Sequence, residues 1–218
     1  MQVLSQFHDL ILCIISALEA RDPYTSHHSS KVAEMTETIC ELMGLDEEEK
    51  EIYHIAAHLH DIGKIGIRDN VLLKEGKLND EEWNIMKSHS EQGYNILMNA
   101  KSFEVVADVV RSHHERYDGK GYPDGLKGED IPFGARIIAI ADSIDIQQKE
   151  MINVLNIMRQ EGYKVASITD KEMHVLLSAY ITAIIEPVIH GYDEEETEHC
   201  LMKIAEFFTP GWMQIMGL

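Results

Sequence analysis

Apolar positions recur at helical spacing along most of the chain. Over residues 2–20, Val3, Phe7, Leu10, Ile11, Ile14, Ile15 and Leu18 fall on one face. Residues 26–43 repeat the pattern with Val32, Met35, Ile39 and Leu42, and Gly44 is placed to stop that helix. Asp46 is a good N-cap for a third helix. Glu47, Glu48 and Glu49 suit its positive end, and Ile52, Ile55, Ala56 and Leu59 continue its apolar face. A loop with Gly63, Gly66 and Gly76 comes next, then a helix capped by Asn79 or Asp80 that carries Trp83, Ile85 and Met86. Residues 103–114 read as another helix, and residues 117–125 as a concentrated turn segment. The Ile-rich run 135–141 fits a strand or a buried helix by pattern alone, its length favouring the helix. From Ile146 the character changes, with helical patterns at 151–158, 173–185 and 194–208. Nothing alternates strand with helix, so the economical fold class is all-α.

Composition narrows the function. The chain has 218 residues, 44% of them hydrophobic, which is enough for a real core. With 38 acidic and 19 basic residues the net charge is −19, which argues against binding a nucleic-acid polymer. No run approaches the roughly 20 apolar residues that span a bilayer, so direct membrane insertion is not expected. The apolar stretch 10–17 is short and has no basic leader. Cys13, Cys40 and Cys200 form no CxxC pair and fit reduced thiols in a cytoplasmic protein. Histidine is the distinctive residue: nine of the 12 lie before residue 115.

The strongest local signal is His60-Asp61 with Gly63-Lys64 close behind, at the end of a predicted helix. Adjacent His and Asp side chains can ligate one metal, and the second carboxylate oxygen can bridge to another. Lys64 would set an ammonium beside them, suited to a phosphate oxygen. His28, His89, His113, His114 and Asp142 lie in or beside predicted helices and enlarge the set. Mixed imidazole and carboxylate ligands suit Fe, Mn, Zn or Ni better than Ca or Mg. Two such ions about 3.5–4 Å apart can activate a bridging water for displacement at phosphorus.

Four stretches together resemble the HD-GYP branch of the HD phosphohydrolase superfamily. They are Arg21-Asp22-Pro23-Tyr24-Thr25-Ser26-His27-His28-Ser29, Leu59-His60-Asp61-Ile62-Gly63-Lys64-Ile65-Gly66, His113-His114-Glu115-Arg116-Tyr117-Asp118-Gly119-Lys120-Gly121-Tyr122-Pro123, and Ala141-Asp142-Ser143-Ile144-Asp145. They occur in the family's order and spacing across roughly residues 5–145. The resemblance implies an HD-domain helical bundle, with residues 1–145 as a metal-dependent phosphohydrolase core. Residues 146–218 would be a divergent helical extension packing on the same domain. It implies hydrolysis of cyclic di-GMP to pGpG, and in some members GMP, by a metal-bridging hydroxide at a centre of two divalent ions, iron or manganese first, zinc or nickel otherwise. His28, His60, Asp61 and Asp142 match the ligands of the wider superfamily, with Asp61 bridging. His89, His113 and His114 match the histidines that build the second site. Lys64 matches the phosphate contact. Gly121-Tyr122-Pro123 matches the loop that shapes the pocket and meets signalling partners. Arg111, Arg116 and Lys120 are surface cations within reach of a phosphate by this reading.

The sequence departs from the family pattern in three places. Tyr24 stands where some members carry a Glu for a third metal, so two metals are expected. Residues 143–150 lack the usual Arg-rich segment, with Lys149 as a substitute. The last 70 or so residues do not align readily with the usual C-terminal helices. His27 is expected to face solvent, and His54 and His58 to be non-ligands on the helix leading to His60. Beside the phosphodiesterase, two other readings stand: a catalytically silent or redox-sensing interaction module, and an HD phosphohydrolase for another nucleotide.

Overall fold

The structure is a computed structural model that describes residues 8–22 and 27–160. Every regular element among them is helical. Helix α1 (His8–Arg21) buries Ile11, Ile15 and Leu18, while Leu10 and Ile14 of the same apolar set face solvent. Helix α2 (His28–Leu42) begins two residues later than its pattern suggests and buries Val32, Met35 and Ile39; Leu42 is exposed. Gly44, at φ 69°, turns the chain where its lack of a Cβ allows, and the Leu45 N–H donates to the Cys40 carbonyl. The Asp46 side chain then accepts from the Glu49 N–H and starts α3 (Glu47–Leu59), as expected.

After α3 the backbone tightens into a 3₁₀ turn (Ile62–Gly66), followed by the short α4 (Asp69–Leu72). Asn79 and Glu82 form a reciprocal capping box that starts α5 (Asp80–Lys87). This helix has no fully buried residue; its Ile85 and Met86 rest on a small cluster of Ile67, Val71 and Leu72. Ser88 then separates α5 from α6 (His89–Leu97), a helix that the sequence pattern does not distinguish. A 3₁₀ turn (Lys101–Phe103) leads into α7 (Glu104–Ser112), whose Val106, Ala107, Val109 and Val110 are buried. Helix α3 sits centrally, packed on α1, α2 and α7, while α6 packs on α7 and on the 62–66 turn.

The ambiguous run 135–141 is helical, part of α8 (Phe133–Gln160). Ala135, Ile137, Ile138, Ala141 and Asp142 are buried and Ile140 is 44% exposed, a spacing that belongs to a helix and not to an alternating strand. A Cβ at Gly134 would lie 2.4 Å from the Tyr53 ring, so glycine lets α8 start against α3. The change of character at Ile146 does not interrupt the helix. The contacts divide the chain into two units, Met1–Ser143 and Ile144–Leu218. In the second, Asp145 is buried and its carboxylate meets Lys149 at 2.8 Å. The expected helices at 173–185 and 194–208, and Tyr24, lie outside the described residues. No helix among the described residues is long and apolar enough to cross a membrane.

Gly63 fixes how closely the 62–66 turn approaches α6. A Cβ there would sit 1.9 Å from the His89 carbonyl oxygen and 2.5 Å from the Gly93 nitrogen, both backbone atoms. The turn and α6 must therefore separate to accept any side chain. Gly63→Ala is expected to destabilise the protein by about 1–3 kcal/mol or more, read as a lower urea midpoint. An unchanged midpoint would contradict this packing.

Candidate metal centre

Three elements end at the same place. The C-terminus of α3 delivers His60 and Asp61, that of α7 delivers His113 and His114, and the start of α6 delivers His89. His28, the first residue of α2, and Asp142 on α8 complete the group. His28, His60 and Asp142 offer ligand atoms within 4.8 Å of one another, and so do His89, His113 and His114. All but His114 are fully buried.

Asp61 lies between the two clusters. Its Oδ2 is 3.4 Å from His60 Nε2 and 3.9 Å from His28 Nε2, whereas its Oδ1 is 3.5 Å from His89 Nε2. Asp142 Oδ1 lies 3.2 Å from His28 Nε2. Lys64, one 3₁₀ turn after Asp61, places Nζ 2.7 Å from Asp61 Oδ2. Burial alone would push the Asp61 carboxyl up, but the Lys64 ammonium and then His60 outweigh it and hold it well below the usual carboxylate range. Burial works against the Lys64 charge in turn, and Asp61, with Asp22 and Asp142 behind it, raises Lys64 above its ordinary value. Asp142 is likewise driven upward by burial and brought below its ordinary value by His28.

Three of the histidines share one orienting device. The Nδ1 atoms of His60, His89 and His113 lie 2.7, 2.7 and 2.6 Å from the carbonyls of Ala57, Met86 and Val110, each three residues back. A carbonyl only accepts, so each Nδ1 carries a proton, and in His89 and His113, which burial keeps neutral, Nε2 presents a lone pair. His89 Nε2 and His113 Nε2 lie 3.3 Å apart. Two lone pairs that close repel, and a cation between them turns the repulsion into ligation. The donor set therefore fits divalent metal ions of the first transition row.

The site is set in a known family. A model of the HD domain family matches residues 13–160. The chain belongs to the HD domain family. The motifs quoted above are those of its HD-GYP branch, whose phosphohydrolases are metal-dependent. The cyclic di-GMP phosphodiesterase response regulator RpfG of Xanthomonas campestris is 49% identical over 131 residues, 59% of this chain and 35% of that protein. The 3'3'-cGAMP-specific phosphodiesterase 2 of Vibrio cholerae is 42% identical over 139 residues, 63% of this chain and 27% of that protein. A cyclic di-GMP phosphodiesterase of Thermotoga maritima is 42% identical over 147 residues, 65% of this chain and 40% of that protein. The matches thus span well under half the length of these relatives.

The signature loop of this HD domain reaches the centre through Tyr122. Its ring packs on His114 at 4.8 Å between centroids, and its N–H donates to the His114 carbonyl. Burial, with the charges of Asp61 and Asp142, pushes its phenol above the ordinary range, so it stays neutral. Gly121 has no room for a side chain: a Cβ would meet the Arg116 nitrogen at 2.3 Å. The Tyr122–Pro123 peptide is cis, and Pro123 is exposed. Arg111 holds the loop through both carboxylate oxygens of Asp124, at 2.8 and 2.9 Å. Arg116 pairs with Asp118 on the exposed side, and the Lys120 backbone N–H donates to the same Asp118. The two guanidiniums are thus engaged within the loop region, and Lys120 joins it through its backbone. His27 is exposed, and His54 and His58 belong to neither cluster.

Two contributors to the centre carry no periodic or compositional signal. The buried Glu115 accepts from the Asp124 and Gly125 N–H groups and fixes the loop from inside. Arg21, at the end of α1, donates to the carbonyls of Lys64, Ile65 and Ile67 and pairs with Asp69. Its guanidinium thereby holds the turn that carries Lys64. Contacts distant in sequence reveal the role of Arg21, and the folding of the loop onto itself reveals that of Glu115.

The buried imidazoles set the acid sensitivity of the metal-free HD domain. Burial, reinforced by His60 and His89, pushes His113 down to about 3 from 6.5, and His114 and His89 also move down. Each stays uncharged when folded and takes a proton once unfolded. The contribution of His113 is therefore complete above about pH 6.5 and is lost as the pH falls toward 3, and His89 and His114 act in the same direction. In chelator-stripped protein, unfolding free energy is expected to fall from pH 6 to 4 by about 1.4 kcal/mol per pH unit from His113 alone, with His89 and His114 adding to the fall in the same direction. Denaturant melts across this range measure it, and a flat profile would contradict the burial of these rings as neutral groups.

Proposed function

We infer that this chain is a metal-dependent phosphodiesterase that opens a cyclic dinucleotide, with cyclic di-GMP as the first candidate substrate. The observation that carries this reading is the Asp61 carboxylate, whose two oxygens face two separate ligand clusters while Lys64 touches one of them. His28, His60 and Asp142 would hold one metal, His89, His113 and His114 a second, and Asp61 would bridge. Iron or manganese suits this mixed donor set, with zinc or nickel as substitutes. When bound, two such ions supply Lewis acidity and lower the pKa of water, which is what phosphodiester hydrolysis requires.

The chain's own residues then have distinct tasks. Lys64 turns from Asp61 toward a phosphate oxygen and offsets charge that grows there in the transition state. Tyr122 walls the pocket beside His114 with a neutral ring. Water adds to phosphorus as one P–O3′ bond breaks, and the departing oxygen ends protonated, leaving a linear dinucleotide with a 5′-phosphate. Further cleavage gives mononucleotides. The loop 117–125 also offers an exposed rim for a signalling protein, and a cytoplasmic location fits the chemistry of a cyclic-dinucleotide signal.

A second substrate reading has its own support. Residues 143–150 lack the expected Arg-rich contacts, and Lys149 pairs with Asp145. One relative named above is specific for 3'3'-cGAMP, so a mixed or different cyclic dinucleotide is the leading alternative.

Anaerobically purified protein, analysed for metals and challenged with cyclic di-GMP, 3'3'-cGAMP and linear nucleotides, separates these readings. The expected result is two metals and a linear dinucleotide from a cyclic one. Two metals without turnover of any nucleotide would favour an interaction module instead. Asp61→Ala is expected to lose metal and turnover together; retention of both would overturn the assignment. Lys64→Ala is expected to keep its metals and lose about 10²–10³-fold in kcat.

A further inference from the structure

A third histidine cluster lies outside the centre. His54 and His58 are four residues apart, so they stand one above the other on the same face of α3. His60 follows two residues after His58, about 200° around the helix, and serves the centre on the other side. Opposite His54 and His58 stands His8, in the first turn of α1. The ring of His8 lies 5.8 Å from His54 and 5.6 Å from His58, and the latter two are 4.8 Å apart, between centroids. Each offers a ring nitrogen within 4.8 Å of the others, as do the ligand atoms of the two clusters around Asp61.

Ring packing accounts for the contacts but not for the nitrogens. His58 is 4% exposed, and its Nδ1 is buried with no hydrogen-bond partner among the described residues. The same is true of His54 Nδ1, whose nearest acid, Glu37 on α2, stands 3.5 Å away without making a hydrogen bond. Buried polar atoms left in this way cost free energy, and native proteins rarely tolerate two side by side. A cation shared by the three imidazoles would satisfy both, and the Glu37 carboxylate stands beside it to offset the added charge. Three nitrogen donors with a fourth position open to an oxygen suit zinc, or its neighbours copper and nickel, and do not suit calcium or magnesium.

We propose that His8, His54 and His58 form a separate zinc-class metal site that ties the start of α1 to α3, with Glu37 as the adjoining carboxylate. The site would join the first turn of α1 to α3, while the last residue of α1, Arg21, holds the Lys64 turn. The site stands apart from the phosphodiesterase reading and requires no turnover to be detected.

Zinc binding to the whole chain tests it. Equilibrium dialysis with Zn(II) is expected to show one more bound equivalent in the unsubstituted protein than in His8→Gln or His54→Gln. His8 is half-buried in a first turn, so His8→Gln is expected to fold normally and to keep the metals of the centre. Loss of one of three ligands should weaken zinc at this site by about 100-fold or more. A second measurement needs no variant: zinc should slow amide hydrogen exchange in the first turns of α1 and around residues 54–58 of the unsubstituted protein. Equal zinc content in all three proteins, or exchange at α1 that zinc leaves unchanged, would overturn the site.

Discussion

A fully buried carboxylate governs this structure. Asp61 is charged in a place where burial alone would neutralise it, and the Lys64 ammonium, first among its neighbours, keeps it ionised. A buried charge is tolerated only when it is paired or bound to metal. Much of the surrounding architecture serves that condition. Lys64 is near because a 3₁₀ turn, and not a continued α-helix, follows Asp61. That turn lies against α6 because Gly63 has no side chain, and Arg21 holds its carbonyls from outside. The approach of the turn in turn brings His89 to the free oxygen of Asp61.

The histidines are oriented by the backbone as much as by packing. Three of them lie at or near helix ends, with Nδ1 tied to the carbonyl three residues earlier. A helix terminus leaves such carbonyls without intrahelical donors, so an imidazole there satisfies the backbone and fixes its own tautomer at once. The outcome is a set of Nε2 lone pairs aimed inward at fixed positions. This preorganisation suits metal binding, because the protein need not reorient its ligands as an ion arrives. It also fits the neutrality of His89 and His113, since each already spends its only proton and a second would be buried among other imidazoles.

The chain's acidity gains meaning beside this centre. A net charge of −19 repels an anionic nucleotide in general, yet Lys64 and any bound divalent ions supply local positive charge deep in the fold. Most other cations near the centre are engaged elsewhere. Arg111 and Arg116 pair with Asp124 and Asp118, so they shape the signature loop before they contact any phosphate.

Helices α1, α2, α3, α5 and α7 were legible from the helical spacing of their apolar residues, and α3 and α5 also from their capping residues Asp46 and Asn79. Asp46 and Gly44 acted where a capping acid and a left-handed glycine should. Helix α6 was not legible, since only Ser88 divides it from α5. Helix α8 was ambiguous because its Ile-rich start suits a strand as well; only its burial pattern against the core decided. The candidate ligands were legible as a resemblance, residue by residue, since the residue types that bind metals are chemically distinctive and their motifs are local. The roles of Arg21 and Glu115, and the meeting of His8 with His54 and His58, were not. Each depends on contacts made in the folded chain, which leave no periodic trace. The sequence by itself determined the helical class, the caps and the candidate ligands, because these depend on local spacing and side-chain chemistry. The tertiary structure alone decided which oxygen of Asp61 faces which cluster and which cations are already engaged, because those depend on distances between helices that no local pattern encodes.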